Sequence, residues 1–281
     1  MVIDILIVLI IILYLIFASI SDLKTREVPD YLSYSLIIIV SILKILDSIT
    51  QKDFTILIYS FLGFIIFYTF SLIMYYSKQW GGGDAKLLMP LGIAFFSYPK
   101  TLLNFFTPNL NIPFLLIIII NLLIFGSIYS FIYIFIIIMK NRKKLKNLQI
   151  NPNKYLLIIP ITFVIFSLFA TYPLKLLFLT FAFLALIYPY LLSLIKDVER
   201  ICMIRIIPLS KLTEGDWIPE DIKHRGKLIY NKKSLGVTKT QISLLKKLKF
   251  KTVTVKYGIP FIPSFFFSII FSLTLGNILP F

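Results

Sequence analysis

Apolar residues run almost unbroken along most of the chain, and short polar interruptions divide them into segments of helical length. Reading those interruptions as boundaries predicts helices near 2–20, 31–46, 54–76, 85–98, 112–139, 155–171, 174–195 and 259–279. Most are long enough to cross a hydrocarbon core, which takes about 20 helical residues; the second and fourth are the shortest. The pattern changes at Lys196, where about sixty mostly polar residues extend to Gly258 before the last apolar run. Within that stretch, 211–219 is rich in turn residues. Residues 240–251 carry Leu244, Leu245 and Leu248 among lysines, as an amphipathic helix does, and 251–256 alternates with the period of a strand. The fold class expected is an all-α polytopic membrane protein of about eight transmembrane helices with a small mixed insert before the last. Its parts are a membrane domain over 1–196, a basic appendage over 197–258 and a final helix over 259–281.

Composition supports a membrane protein. Hydrophobic residues make up 58% of the 281, above the roughly 45–50% of soluble domains, and the mean hydropathy is +0.91. The lipid bilayer is therefore the first expected partner. The net charge of +16 raises the question of nucleic acid, but the positions of the basic residues answer it. The odd-numbered loops hold 25 of the 29 lysines and arginines: Lys24 and Arg26, Lys78 and Lys86, six between Lys140 and Lys154, and fifteen between Lys196 and Lys256. Only Lys44, Lys52, Lys100 and Lys175 lie toward the other face. Basic residues favour the cytoplasmic side, so the odd loops are expected inside, with the N-terminus outside, and no nucleic-acid partner is expected. The basic run from Lys140 to Lys146 is read as an anchor of that topology. The first helix lacks a basic start and a small-residue cleavage site, and is expected to stay as a span rather than be removed as a signal peptide.

Several kinds of site are excluded. One cysteine, Cys202, rules out a disulfide within the chain, and one histidine, His224, rules out a two-histidine metal centre. No metal and no cofactor is expected. What remains is carboxylate chemistry. The first 196 residues hold only seven acidic residues: Asp4, Asp22, Glu27, Asp30, Asp47, Asp53 and Asp84. Ionisable groups beside membrane helices are costly and mark functional sites by default. Asp22 closes the first helix and Asp84 opens the fourth, both on the side predicted to be cytoplasmic. Two carboxyl groups sharing one proton can cleave a peptide, one drawing a proton from water while the other polarises the scissile carbonyl. Gly81, Gly82 and Gly83 before Asp84 allow backbone conformations and close approaches that a side chain forbids. The dipole of the helix that follows favours ionised Asp84, which gives it the base role. Taken singly, each aspartate also fits a plain structural part: Asp22 a turn residue, Asp84 an N-cap.

The phrase Gly81-Gly82-Gly83-Asp84-Ala85-Lys86-Leu87 fits the Gly-x-Gly-Asp signature of polytopic aspartyl proteases. It resembles the form found in type IV prepilin peptidases and archaeal preflagellin (prearchaellin) peptidases. The segment Asp22 to Tyr31 is similar to the family's first aspartate motif, and Gly258-Ile259-Pro260-Phe261-Ile262-Pro263 looks like the archaeal branch. The resemblance implies a membrane aspartyl endopeptidase that removes the short basic leader of prepilin or prearchaellin precursors at the cytoplasmic face. Those precursors are then the expected protein partners; the oligomeric state is left open. The family's catalytic pair carries over onto Asp22 and Asp84, and its glycines onto Gly81 and Gly83. Lys24, Arg26 and Lys86 match its basic surroundings and, with Pro260 and Pro263, are candidates to support the substrate or the pair.

Many bacterial members also methylate the new N-terminus and carry paired cysteines in an N-terminal cytoplasmic segment. Here the chain enters its first helix at once and has one cysteine, so methyl transfer is not expected. Glu214 and Asp216 in the insert suit a basic leader, or equally a turn closed by Asx hydrogen bonds. Pro260 and Pro263 suit a proline loop facing the aspartates as in presenilin-like proteases, or simply the start of a helix, where a missing N–H costs nothing. Two other functions are compatible with membrane aspartates. A presenilin-like protease cutting within the bilayer would place them deeper, with aromatic residues before them; here Ser21 precedes Asp22 and basic residues crowd both. A transporter or assembly scaffold would commonly show matching halves, and none is visible.

Overall fold

The computed structural model of the chain describes residues 2–142 and 153–279. Eight apolar helices fall where the sequence predicts them. They are α1 (Val2–Thr25), α2 (Asp30–Gln51), α3 (Thr55–Tyr76), α4 (Gly82–Ala94), α5 (Phe114–Lys140), α6 (Ile158–Phe169), α7 (Leu174–Val198) and α9 (Ile262–Thr274). A ninth helix, α8 (Lys239–Lys247), belongs to the insert. The protein is an all-α polytopic membrane protein, as expected, and its apolar helices differ in length. Among the described residues, five segments are long and apolar enough to cross: α1, α2, α3, α5 and α7 with its extension to Met203. At 1.5 Å per residue, the 13 residues of α4 or α9 reach only about 20 Å, short of a hydrocarbon core of about 30 Å.

The short helices take a different part. Almost every residue of α4 from Leu87 to Ala94 is buried, so the helix is apolar all round and lies inside the bundle between α2 and α3. Gly63 of α3 meets Gly92 of α4 with the two backbones in contact; a Cβ on either would collide with the other's carbonyl. Helices in lipid gain nothing from hiding oily surface from one another, so small residues that permit such approach drive their packing. The same device seats α9 against α5 and α1. Ser264, Ser268 and Ser272 form a buried stripe at four-residue spacing, and the amide of Asn121 on α5 donates to Ser272 Oγ at 2.9 Å and to the Gly276 carbonyl at 2.8 Å. The far end of α9 is fixed by the Tyr98 hydroxyl, which donates to the Leu273 carbonyl at 2.7 Å.

The insert has its own apolar cluster, built on Ile207, Leu209, Leu212, Ile218, Tyr230, Val237, Leu245, Val253 and Val255. The predicted helix and strand are there as α8 and β4 (Thr252–Lys256), but β4 pairs antiparallel with β1 (Ile204–Pro208), which the sequence reading missed. A second pair, β2 (Ile222–His224) and β3 (Lys227–Tyr230), was also missed. The insert rests on the loops of the bundle: Thr213 Oγ1 donates to Glu27 at 2.8 Å, and Lys78 Nζ to the Lys233 carbonyl at 2.5 Å. With Arg26 bonded to Gly258, the described odd-numbered loops gather on one face, as the charge distribution requires. Of the basic run, Lys143, Lys144 and Lys146 lie outside the described residues.

Candidate active site

Three chain segments far apart in sequence converge at that face. The last turn of α1 carries Asp22, the first turn of α4 carries Asp84, and the first turn of α9 supplies backbone. The helices run further than predicted at both aspartates. Asp22 is inside α1, which continues to Thr25, and Asp84 is the third residue of α4, with Gly81 as the N-cap. The plain N-cap reading of Asp84 is therefore incorrect. Its Oδ2 instead reaches back to accept the Gly81 N–H at 3.0 Å, the return half of a capping box.

Asp22 is only 6% exposed. Its Oδ2 accepts the N–H of Ile262 at 2.9 Å, and the Phe261 amide also acts on it. Those N–H groups begin α9 and have no partner within their own helix. Each carboxyl group thus sits at a helix N-terminus, Asp84 on its own helix and Asp22 on one 240 residues away. The dipole argument that gave Asp84 the base role applies to both, so it does not distinguish them. The two carboxyl groups lie close enough that the charge of Asp22 acts on Asp84.

Residues around the pair fix this convergence. Gly83 touches Val28: a Cβ there would come within 3.0 Å of the Val28 Cβ, so this glycine lets the first motif approach the second. Gly82 has only Tyr75 near it, at 3.8 Å, and Gly81 only the Asp84 carboxylate, at 3.4 Å. Lys86 pairs with Asp30 at 2.6 Å and lies over the Tyr34 ring, tying the start of α4 to α2 rather than facing the aspartates. Arg26 ends α1 in the left-handed region, φ 61°, a conformation costing a non-glycine residue about 1–2 kcal/mol. Its guanidinium donates to the Gly258 carbonyl at 2.5 Å and the Tyr133 hydroxyl at 2.8 Å, and its charge acts on Asp22.

Lys24 is exposed and makes no hydrogen bond or ion pair among the described residues. Pro260 and Pro263 are buried on either side of the Phe261–Ile262 turn, with Pro263 in the first turn of α9. They flank the amide that reaches Asp22, and only Pro263 is within the helix start. Asp216 accepts the Thr213 N–H at 2.7 Å, the turn expected there, and Glu214 pairs with Lys239. Burial pushes the Asp216 carboxyl above its usual range, with the nearby Glu27 charge adding to it.

The sequence reading missed four contributors. Trp80 is buried and packs its ring on Phe261 and Phe265, at 5.8 and 5.4 Å between centroids, joining the α4 and α9 starts. On α5, Gly126, Tyr129 and Tyr133 share one face. Gly126 admits Phe261, since a Cβ would come 2.5 Å from its ring. The Tyr129 hydroxyl is buried without a hydrogen-bond partner among the described residues, within reach of the Asp22 charge. Tyr133 holds Arg26. Their spacing of three and four residues is the one sequence signal that marks them as a wall. Among the described residues no group of three or more acidic, histidine or cysteine side chains could hold a metal.

Fold and site together define a polytopic helical membrane protein in which two carboxyl groups meet at one face of the bundle. Residues 9–139, which hold both aspartates, match the type IV leader peptidase family. Preflagellin peptidases are similar over part of their length. The protein of that name from Methanococcus maripaludis is 41% identical over 78 residues, 28% of this chain and 34% of the relative. That from Methanocaldococcus jannaschii is 40% identical over 78 residues, 28% and 33%. That from Methanococcus voltae is 36% identical over 84 residues, 30% and 36%. The chain thus spans about a third of the length of the curated relatives it matches. No solved structure matches it.

Proposed function

We propose that the chain is a membrane aspartyl endopeptidase that removes the short basic leader of prearchaellin or related type IV pilin-like precursors at the cytoplasmic face. The observation that carries the reading is the approach of Asp22 and Asp84, from separate helices, so that the charge of Asp22 acts on Asp84. Two carboxyl groups so placed share a proton, because both cannot ionise easily at short range. The ionised one takes a proton from water as the oxygen adds to the scissile carbonyl carbon. The protonated one hydrogen-bonds to, and protonates, the carbonyl oxygen. The tetrahedral intermediate collapses, the C–N bond breaks, and the amine leaves with a proton from the pair. One water is consumed and both carboxyl groups return to their starting state. No methyl-transfer step is part of this assignment.

The names of the relatives favour a preflagellin substrate, and the basic loops on the site's face favour a cytoplasmic location. In this reading 1–196 and 259–281 form the catalytic body. The 197–258 insert rests on the loops that follow Asp22 and precede Asp84. The test is cleavage of a co-expressed preflagellin-like precursor in membranes, read by gel shift and N-terminal sequencing of the product. The intact chain trims the leader, and Asp22→Asn and Asp84→Asn, at matched expression, do not. Trimming by both variants would overturn the assignment.

A further inference from the structure

A cavity of about 210 Å³ lies beside the active site, between the end of α5 and the insert. Its polar lining includes Arg26, Tyr133, Lys140, Asn141, Arg205 and Tyr257, and the rest of the wall is mainly apolar. Three of its walls are cations and none is a carboxylate. Arg26 and Arg205 both lie over the Tyr257 ring, at 5.8 and 5.6 Å from its centroid, so two guanidinium groups share one aromatic ring. The neighbouring chain cannot neutralise them. Between Asp84 and Asp197 the sequence contains no acidic residue, so the whole stretch from α5 to Lys196, the basic run after Lys140 included, brings only positive charge. The next two acidic residues are engaged, Asp197 with Arg200 at 3.1 Å and Glu199 with Lys256 at 2.8 Å. Asp22 and Arg26 interact, but among the described residues Lys140 and Arg205 have no ion-pair partner.

We propose that this cavity binds a phosphate-bearing anion, and that its source is the headgroup of an acidic membrane lipid. Phosphate suits the lining, because guanidinium groups present paired N–H donors that match phosphate oxygens. Tyr133 adds a donor: its oxygen already accepts from Arg26, which leaves the phenolic proton to point at an anion. The setting selects a lipid over a free phosphate. The cavity opens where the apolar run of α5 ends at Met139 and Lys140, the level of headgroups, and basic pockets between helices at that level bind acidic headgroups. Arg26 lines this cavity and its charge acts on Asp22, so an occupied site holds in place the residue that ends the Asp22 helix.

The test reads binding directly and does not depend on proteolysis. The full chain is reconstituted in nanodiscs of phosphatidylcholine with a minor share of phosphatidylglycerol, released, and weighed by native mass spectrometry. The intact protein retains phosphatidylglycerol. The double variant Lys140→Ala/Arg205→Ala retains it about 30-fold more weakly, at about a tenfold loss for each 1.4 kcal/mol and about 1 kcal/mol for each basic residue. Lys140→Arg/Arg205→Lys keeps the charge and keeps the lipid, and Lys239→Ala/Lys247→Ala, basic residues outside the cavity, behaves as the intact chain. Thermal unfolding of each variant shows whether it is folded. Equal retention by the intact chain and the cavity variant, or none by either, overturns the proposal. Displacement of the lipid by millimolar inorganic phosphate overturns the lipid as the source.

Discussion

The two aspartates are held in opposite ways. Asp84 takes its backbone partner from three residues away, within its own helix turn. Asp22 takes its partner from Ile262, 240 residues along the chain, and sits where it does only because α9 packs against α1 and α5. One half of the site is local chemistry and the other is tertiary packing. The glycines show the same division. Those before Asp84 shape one turn, whereas Gly126, with no functional motif around it, makes room for the ring of Phe261 beside the amide that reaches Asp22.

Substitutions can separate the two halves. The largest effect belongs to the carboxyl groups themselves: Asp22→Asn or Asp84→Asn is expected to lower leader cleavage by about 10²–10⁴-fold, the scale of a lost general acid or base, measured as initial rate in membranes. Next comes the distant half. Gly126→Val drives a side chain into Phe261, costs about 1–3 kcal/mol as overpacking does, and moves the Ile262 amide off Asp22. Cleavage falls, and Phe261→Leu in the same chain restores part of it; a thermal melt and a cleavage assay on the pair check both. The local half gives a smaller, graded result. Gly83→Ala meets Val28 and slows cleavage, Val28→Ala relieves it, and Gly82→Ala, with open space beside it, changes little. Kinetics on the three variants that leave Gly82 as sensitive as Gly83 would break the steric account.

The insert responds least. Thr213→Val removes the exposed bond to Glu27, worth no more than about 1 kcal/mol, and shifts cleavage slightly. Asp216 titrates above the usual carboxylate range in the folded chain because burial disfavours its charge. A raised folded value means that the folded state holds the proton more tightly. Its contribution is present at low pH and is lost as pH rises through the carboxylate range. Asp216→Asn keeps an acceptor for the Thr213 N–H and flattens that dependence, which thermal melts from pH 4 to about 7 would show.

The legibility of the sequence follows the same line. Apolar runs bounded by polar interruptions locate all eight apolar helices, because lipid and the bundle interior both demand apolar side chains. The charge asymmetry gathers the right loops on one face. Asp84 is legible because glycines and aspartate stand together, and Asp22 because carboxylates are scarce in 1–196. Helix depth is less legible. Hydropathy counts apolar residues, and α4 is as apolar as a span while being buried among its neighbours. Lys86 is misjudged for a related reason: its partner Asp30 is on α2, and only the packing of α4 against α2 makes that ion pair. Trp80, Tyr129 and the Ile262 amide are silent in the sequence, since aromatic residues and backbone N–H groups are everywhere in such a chain.

Because the partner of Asp22 lies on α9, the site has a place in time as well as in space. A ribosome delivers Asp22, the glycines and Asp84 first, and the amide that reaches Asp22 only after the insert and the start of the final helix have been made. Until α9 is threaded beside α1, the nascent chain holds both acids but lacks the scaffold that aims one of them. On the proposed reading, leader cleavage then waits until α9 has been made and packed against α1.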